Sequence, residues 1–343
     1  MASKLTLDQY LCSWAGDDSA RDDVAAIVSS LARGGITLSG AISGCGLTQG
    51  VDPAEPENAV ADAEKPWDKK AHSIFEQALG SAPISFLASE EKEDLVEFDS
   101  RAAYMVALDP LHGSANIETN MSVGTIFSVL QVDVDQLYDE NLGSRQIAAG
   151  FLLYGPQTTL VLTCGNGTQI FLLQTEDGQF YQLDDAISIP SGKREFAINT
   201  SNYRFWDSAI RHFIDDCFSG EDGPLGIDFN MRWNASLVAE AFRILIRGGV
   251  FLYPADSRAG YKCGRLRHFY EALPLAFIVE QAGGSATDGD RRIMDVALSS
   301  IHQRTPLIFG SKDMVSDVVE YISADPAENT RYPLFQKRSL LRS

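Results

Sequence analysis

The chain has 343 residues, of which 45% are hydrophobic, so it can form the core of one large or two medium globular lobes. Its formal net charge of −19 excludes a general nucleic-acid binder, because such a protein needs an excess of lysine and arginine on at least one face. The five cysteines are scattered without CxxC spacing, so neither a disulfide framework nor a zinc-cysteine site is indicated.

The N-terminal end carries acidic residues early and lacks a long apolar stretch, which argues against a secretory signal and against an arginine-rich transit peptide. No apolar run approaches the ~20 residues that a membrane span requires, so no membrane partner is expected. Reduced thiols and the absence of a signal predict a cytoplasmic protein.

Helical periodicity marks the start of the chain. Apolar residues recur at helical spacing through residues 6–34, which indicates one or two amphipathic helices. Residues 44–66 are rich in glycine, proline and acids and show little periodicity, so a mobile loop is predicted there. Ala71, Ile74, Phe75 and Leu79 then indicate another helix.

Short runs rich in β-forming residues follow, separated by turns. The predicted strands are residues 84–87, 104–108, 124–129, 148–154, 159–162 and 170–173. The last four come in close succession, as in an antiparallel meander.

The second half of the chain alternates helices with strands. Helices are predicted at 206–213, 236–246, 271–282 and 313–322, and strands at 249–253 and 306–309. We therefore expect an α/β fold of α+β layered type, with an antiparallel meander sheet in the first half and a mixed sheet in the second. The predicted boundary near residue 190 divides the chain into lobes 1–190 and 191–343.

The segment DPLHGSAN at 109–116 is the most informative for chemistry. A predicted strand delivers Asp109 into a turn of proline, glycine and small polar residues. An acid at the carboxyl end of a strand, followed by exposed backbone amides, can place a cation beside a phosphate. An ordinary Asx-type turn after a buried strand explains the segment equally well when it is taken alone.

Further acids stand at comparable places. Glu90 and Glu91 follow another predicted strand, Asp62 and Asp68 precede it, and Glu271 opens a predicted helix. Mg²⁺ prefers hard oxygen ligands and keeps several waters, so a few carboxylates from strand ends suit a metal site that bridges to phosphate. Each acid taken singly is more simply explained as solvated surface.

Together these segments resemble the class I fructose-1,6-bisphosphatases and their close relatives, the sedoheptulose-1,7-bisphosphatases. The matching runs are SEE at 89–91, DPLHGSAN at 109–116, GTIF at 124–127, YPA at 253–255, LRHFYE at 266–271 and EQAGG at 280–284. Motifs in this order are far more specific than any one of them. The resemblance implies a hydrolase that removes the 1-phosphate of a phosphorylated ketose, fructose 1,6-bisphosphate or sedoheptulose 1,7-bisphosphate, by a metal-activated water.

The resemblance also implies site residues. The metal ligands would be Glu90, Asp109, Glu271 and the Leu111 carbonyl, with His112 at a further ligand position. Residues that orient or deprotonate the attacking water would be Glu91 and Asp68, with Asp62 on the loop that closes over the metals. The 1-phosphate would be held by the amides of Gly113 and Ser114 and by Arg267.

The second lobe would carry the pocket for the distal phosphate. The implied residues are Asn199, Tyr203, Trp233, Tyr253 and Arg265, with Arg232 reaching into the neighbouring subunit's site. That last role implies a homo-oligomer, a tetramer. Without the ordered motifs, the aromatic residues would be explained as core and the arginines as surface ion pairs.

His112 departs from the family pattern, which has an aspartate there. The change removes a hard anionic oxygen and offers an imidazole nitrogen, which suits Zn²⁺ or Mn²⁺ better than Mg²⁺. Mg²⁺ is the expected cofactor, with Mn²⁺ and Zn²⁺ as alternatives. The pattern also has tyrosine at Trp233 and lysine at Arg265.

Two other functions stay open. One is an inositol-phosphate type phosphatase of the same superfamily, and the other is a weakly active homologue that serves as a phosphosugar sensor. His112 is the main support for the sensor. The retained Glu90, Glu91, Asp109 and Glu271 favour the enzyme, because like-charged carboxylates are costly to hold together.

Overall fold

The structure is a computed structural model that describes residues 4–44, 66–139, 142–183 and 186–324. Apart from its two end residues, the predicted loop 44–66, with Asp62, lies outside the described residues. The α-helices of the described part are α1 (Leu7–Ala15), α2 (Ser19–Ser43), α3 (Pro66–Leu79), α4 (Ser208–Ser219), α5 (Leu237–Arg247), α6 (Leu273–Gln281) and α7 (Lys312–Ser323).

The strands divide between a first set, in the N-terminal half, and a second set. The first set is β1 (Phe86–Ser89), β2 (Val96–Glu97), β3 (Met105–His112), β4 (Val123–Leu130), β5 (Gln146–Tyr154), β6 (Thr158–Thr163), β7 (Thr168–Gln174) and β8 (Gln179–Gln182). The second set is β9 (Glu195–Ala197), β10 (Asn230–Met231), β11 (Val250–Tyr253), β12 (Leu266–Arg267), β13 (Ser285–Thr287), β14 (Arg304–Thr305) and β15 (Leu307–Gly310).

The N-terminal helices bury one face against the first sheet. Helix α1 begins with a capping box, in which Thr6 accepts from the amide of Gln9 and the Gln9 side chain accepts from the amide of Thr6. Helix α2 approaches its neighbours closely at two glycines: a Cβ at Gly34 would lie 2.7 Å from Phe75 of α3, and one at Gly35 would lie 2.5 Å from Leu152 of β5. Small residues at these contacts let the helix lie flat on the sheet.

Helix α2 is long and apolar enough to cross a membrane by length and composition alone. That differs from the sequence-based expectation, which considered only uninterrupted apolar runs. Half of its apolar window is buried inside the protein, as in the core helix of a globular domain. Its contacts with α1, α3 and β5 account for that apolar composition.

The first sheet has eight strands in the order β2-β1-β3-β4-β5-β6-β7-β8. Strands β3 to β8 form an antiparallel meander, and β1 pairs parallel with β3. Both faces are buried, so neighbouring residues of β4 enter different cores: Phe127 contacts the α1–α3 side and Ile126 the α5–α6 side. The predicted meander is confirmed.

The second sheet is mixed, with the order β10-β9-β11-β15-β13. Strand β9 pairs parallel with β10 and β11, whereas β15 pairs antiparallel with β11 and β13. Helices α4 and α7 cover one face, and the other face shares its core with α5, α6 and the first sheet. This confirms the expected layered α/β fold, while the boundary at residue 190 stays a prediction.

Several predicted element ends were wrong; the strand expected at 84–87, for example, is β1 at Phe86–Ser89. Strand β3 continues through Asp109 to His112 and does not end before the motif, because a bulge lets it stay paired with β4. The helix expected at 206 begins at Ser208, after a 3-10 turn over Thr200–Phe205 capped by Asn199. The helix expected at 271 is preceded by a π-helical turn, His268–Ala272.

Candidate active site

Parallel pairing of β1 and β3 brings two acids to one edge of the first sheet. Ser89, the last residue of β1, lies opposite Leu108, and the amide of Glu90 donates to the Leu108 carbonyl at 3.0 Å. Glu90 and Asp109 therefore each follow one member of the same residue pair, Ser89 and Leu108. Since the carboxyl ends of parallel strands coincide, the two side chains share this edge.

The bulge in β3 sets the direction of the DPLH segment. Asp109 lies opposite Ile126 and His112 lies opposite Gly124, so three steps on β3 match two steps on β4. In a regular strand, residues three apart point to opposite faces, and the extra residue brings Asp109 and His112 to the same side. The amide of Leu111 donates to Oδ1 of Asp109 at 3.1 Å and fixes that carboxylate.

Glu271 enters the same site from the π-helical turn. The backbone amide of Arg267 donates to its Oε2, and Nδ1 of His112 lies 2.9 Å from its Oε1. The same Nδ1 lies 3.0 Å from Oδ2 of Asp109. One ligand atom from each of Asp109, His112 and Glu271 lies within 4.8 Å of the others, and both carboxylates are buried.

Burial dominates the electrostatics of this cluster. It raises the pKa of Glu90 well above the ordinary carboxyl value, and the neighbouring Asp109 and Glu271 raise it further. Burial likewise raises the pKa of Asp109. For His112, burial lowers the pKa, but hydrogen bonds to Asp109 and Glu271 outweigh it, and the net pKa lies well above the usual histidine value.

Arg267 provides a second positive charge at this edge. Its Nε lies 3.3 Å from Oε1 of Glu90, and its Nη1 donates to the His302 carbonyl at 3.1 Å. The Nε2 of His302 lies 2.9 Å from the carbonyl of Lys92, the residue after Glu91. The loop that contains His302 therefore contacts both Arg267 and the turn after Glu91. The sequence motifs gave no signal for this role of His302.

The donor set fits a divalent metal ion. The carboxylates of Asp109 and Glu271 are buried and that of Glu90 is partly exposed, and among the described residues Arg267 and His112 offset their charge. The pKa of Glu90 is raised first by desolvation and then by repulsion from Asp109 and Glu271, and a cation would relieve that repulsion. Carboxylate oxygens suit Mg²⁺ and Mn²⁺, and an imidazole nitrogen suits Mn²⁺ and Zn²⁺. In the structure the His112 nitrogen itself lies between two of the carboxylates.

The proposed phosphate cradle follows directly on β3. Gly113 has φ +78°, in the left-handed region that favours glycine, and turns the chain into a 3-10 turn at Ser114–Asn116. The Asn116 side chain donates to the Ala235 carbonyl at 3.0 Å and so ties the turn to the start of α5.

The predicted water-handling acids lie on α3 and at the end of β1. Asp68 is in the first turn of α3, where the helix dipole favours a carboxylate. Glu91 follows Glu90, and its amide lies 3.4 Å from the hydroxyl of Ser89. The third predicted acid, Asp62, lies outside the described residues.

The predicted distal-pocket residues form two connected groups. Tyr253 is adjacent to both Arg265 and Trp233: Nη1 of Arg265 donates to the Tyr253 hydroxyl at 3.4 Å, and the ring centroids of Trp233 and Tyr253 are 6.3 Å apart. Asn199 and Tyr203 belong to the 3-10 turn, and the Tyr203 hydroxyl donates to Asp215 at 2.9 Å.

A loop contact joins the two groups. The amide of Ser257 donates to the Phe205 carbonyl at 3.0 Å, and the Arg258 guanidinium lies 4.6 Å from the Phe205 ring centroid. Arg258 also binds the carboxylate of Asp256. Burial raises the pKa of that carboxyl group, but the bonds from Arg258 outweigh burial and lower it overall. Sequence reasoning missed this pair, although it lies between two matched motifs.

Arg232 directly follows the edge strand β10 and directly precedes Trp233. It is half-exposed, and its Nε is 3.9 Å from Oε1 of Glu195, which also binds Arg243 and Arg247. Its role toward a neighbouring subunit stays a prediction.

Comparison with known proteins identifies the family. Residues 5–185 match the model "Fructose-1-6-bisphosphatase, N-terminal domain", and residues 189–323 match the corresponding C-terminal domain. The class 1 fructose-1,6-bisphosphatase of Azorhizobium caulinodans is 48% identical over 326 residues, which are 93% of this chain and 99% of that protein. The class 1 enzyme of Nitrobacter vulgaris is also 48% identical, over 345 residues and the whole of both chains.

Solved structures agree. The holo form of Leishmania major fructose-1,6-bisphosphatase superposes with a TM-score of 0.83 at 30% identity and covers 94% of this chain and 100% of that one. The T-state structure of the same protein gives a TM-score of 0.81 with the same coverage. The chain therefore belongs to the class 1 fructose-1,6-bisphosphatase family.

Proposed function

We propose that this protein is a sugar bisphosphatase, a phosphoric monoester hydrolase that releases the 1-phosphate of fructose 1,6-bisphosphate. The observation that carries the proposal is the convergence of Glu90, Asp109 and Glu271 beside Arg267, in a chain whose class 1 relatives bear that enzyme's name. Sedoheptulose 1,7-bisphosphate is a second substrate of the same chemistry. Nothing in the site favours an inositol phosphate.

Glu90, Asp109, Glu271 and the Leu111 carbonyl would hold the divalent ions, Mg²⁺ first among them, and His112 would add a nitrogen ligand. Ligand atoms of Asp109, His112 and Glu271 lie within 4.8 Å of one another. A bound divalent ion lowers the pKa of water and offsets charge on the phosphoryl oxygens. The retained carboxylates fit that task, and the nitrogen gives Mn²⁺ and Zn²⁺ a better fit than in an all-oxygen site.

The chain's own groups provide alignment and proton transfer. Asp68 and Glu91 orient the attacking water and accept its proton as its oxygen bonds to phosphorus. Arg267 and the amides of Gly113 and Ser114 hold the phosphoryl oxygens. The bond from phosphorus to the sugar oxygen breaks and that oxygen takes up a proton, which leaves inorganic phosphate and a sugar monophosphate. Asp62 belongs to the proposal as an acid of the preceding loop.

The distal phosphate binds without reacting, and its binding aligns the sugar. Asn199, Tyr203, Tyr253 and Arg265 offer hydrogen-bond groups of the required kind, and Trp233 lines the pocket. Arg232 serves the site of a neighbouring subunit, so a homotetramer is part of the proposal. A cytoplasmic location is proposed with it.

A phosphosugar sensor is the second candidate, and one contact favours it. Nδ1 of His112 lies within 3.0 Å of both Asp109 and Glu271, so the imidazole competes with a metal ion for these oxygens. A chain that binds bisphosphate but loads metal poorly would hydrolyse it slowly.

Phosphate release from fructose 1,6- and sedoheptulose 1,7-bisphosphate, with Mg²⁺, Mn²⁺ and Zn²⁺ titrated in parallel, tests the proposal. We expect release that stops on chelation of the metal. Tight calorimetric binding of bisphosphate with no release under any metal would refute the hydrolase and support the sensor.

A further inference from the structure

A buried histidine that the proposed mechanism does not use lies next to the water-handling acids. His72 is on α3, one turn after Asp68, and is 3% exposed. Its neighbours on the buried face of the helix are Ala71, Phe75 and Leu79, all apolar. A polar ring in such a row is costly unless its nitrogens are hydrogen-bonded.

The partner of His72 is on the catalytic edge of the sheet. Its Nδ1 lies 2.9 Å from the hydroxyl of Ser89, the last residue of β1 and itself fully buried. Ser89 immediately precedes Glu90 and Glu91, and the same hydroxyl lies 3.4 Å from the Glu91 amide. The bond therefore connects the helix that carries Asp68 to the strand end that carries Glu91.

The proton positions are consistent along this chain of groups. Nε2 of His72 faces the Glu76 carboxylate at 3.6 Å and can carry the ring proton. Nδ1 then accepts the Ser89 hydroxyl hydrogen, and the lone pairs of the hydroxyl oxygen remain for the Glu91 amide. The Glu76 side chain is 45% exposed, so its pairing with His72 contributes little, and the buried Ser89 bond is the stronger contact.

We propose that His72 is a positioning residue that holds Asp68 and Glu91 in register with each other through its hydrogen bond to Ser89. The inference rests on the proposed hydrolase function, which assigns the water to these two acids. Asp68 lies in the first turn of α3, so its carboxylate moves with the helix. A shift of the helix along the sheet separates it from Glu91, whose place is fixed by β1.

Three variants at His72 test this role. His72→Asn places an amide where Nδ1 stands and keeps the Ser89 bond, His72→Gln places one nearer to Nε2, and His72→Leu offers no polar atom. We expect His72→Leu and His72→Gln to lower kcat about ten- to hundredfold with KM within about twofold, because misplaced catalytic groups slow turnover while binding survives. His72→Asn should restore kcat to within about threefold of wild type.

The double variant Ser89→Ala/His72→Leu separates positioning from stability. Removing both polar partners leaves no unsatisfied hydroxyl, so its melting temperature should recover relative to His72→Leu. Its kcat should stay low, because the link is still absent. Phe75→Leu, a change of packing on the same helix face, is the matched control and should lower the melting temperature without lowering kcat.

Amide hydrogen exchange over residues 66–72 gives a measurement that is independent of turnover. Exchange should be faster in His72→Leu than in wild type and unchanged in His72→Asn. Equal exchange in wild type and His72→Leu, or equal kcat in His72→Asn and His72→Leu, would overturn the inference. Rescue by glutamine and not by asparagine would also overturn it, since the contact with Glu76 would then be the one that matters.

Discussion

The proposed metal-binding edge and the proposed distal pocket are built in opposite ways. Asp109 and Glu271 are 3% and 4% exposed and come from a paired strand and a buried turn, so their positions are set by the backbone. Tyr203 is 36% exposed and lies on a 3-10 turn, with its hydroxyl on Asp215. The buried edge is held by the backbone and brings like charges together, whereas the residues of the proposed pocket would have to exchange their present partners for substrate.

The largest effect should come from the carboxylates of the buried edge. Glu90→Gln, Asp109→Asn and Glu271→Gln should each lower kcat by about 10²-fold or more, because groups placed at developing charge have effects of this size. Glu97→Gln, at an exposed position in β2, is the control and should behave as wild type. Wild-type turnover in any two of the three variants would refute the site.

The same Glu90→Gln variant should stabilise the metal-free protein near neutral pH. The pKa of Glu90 is raised by burial, so its ionised form costs stability above the ordinary carboxyl pKa of 4.5. The gain on substitution should be present at neutral pH and disappear as the pH falls through the raised pKa toward 4.5. Chemical denaturation at several pH values measures it.

His112 should have the next largest effect. His112→Asp replaces the nitrogen between Asp109 and Glu271 with a hard oxygen, so Mg²⁺ affinity should rise about tenfold, whereas His112→Ala should not reproduce this gain. Calorimetric Mg²⁺ titration of both variants and wild type gives the comparison. Three superimposable titrations would remove His112 from the metal site.

In the exposed pocket, Arg265→Ala should raise KM for the bisphosphate about tenfold and change kcat less, because a charged hydrogen bond to a non-reacting phosphate is lost. Arg265→Lys keeps the charge without the planar guanidinium, so its KM should lie between those of wild type and Arg265→Ala. A tenfold loss of kcat in Arg265→Ala with no change in KM would instead place Arg265 with the reacting groups.

The smallest effect is expected at Asp215. Asp215→Asn weakens the bond that holds the Tyr203 hydroxyl, so the tyrosine turns to substrate more readily and KM should fall by about twofold. Asp222→Asn is the control, since Asp222 is an exposed acid just after α4, the helix that carries Asp215. An unchanged KM in Asp215→Asn would show that breaking the bond from Tyr203 to Asp215 does not limit substrate binding.

The sequence predicted the regular parts well for physical reasons. Strands such as β4 and β5 are buried runs of β-forming residues, and their predicted ends fall within two residues of the observed ones. The ordered motifs identified the family, and the residue roles they imply stay predictions. The bond from Tyr203 to Asp215 could not be predicted from the sequence, because it depends on how a turn packs on a helix and no local pattern encodes that packing.

The bulge in β3 and the π-helical turn before α6 were unpredictable for the same reason. Each adds one residue to a regular element, and whether it forms depends on pairing with β4 or packing against the sheet. These two irregularities place Asp109, His112 and Glu271, so the least predictable backbone carries the candidate metal ligands.

The π-helical turn also gives α6 two unequal ends. At its far end the helix is anchored, because the Ile189 amide donates to the Ala282 carbonyl at 2.8 Å and Gly284 folds back onto Val279. At the near end, the wider turn contains an additional residue per hydrogen-bonded loop. The wider turn is therefore at the Glu271 end of α6, and we expect small shifts of that carboxylate to change the turn before they change the rest of the helix.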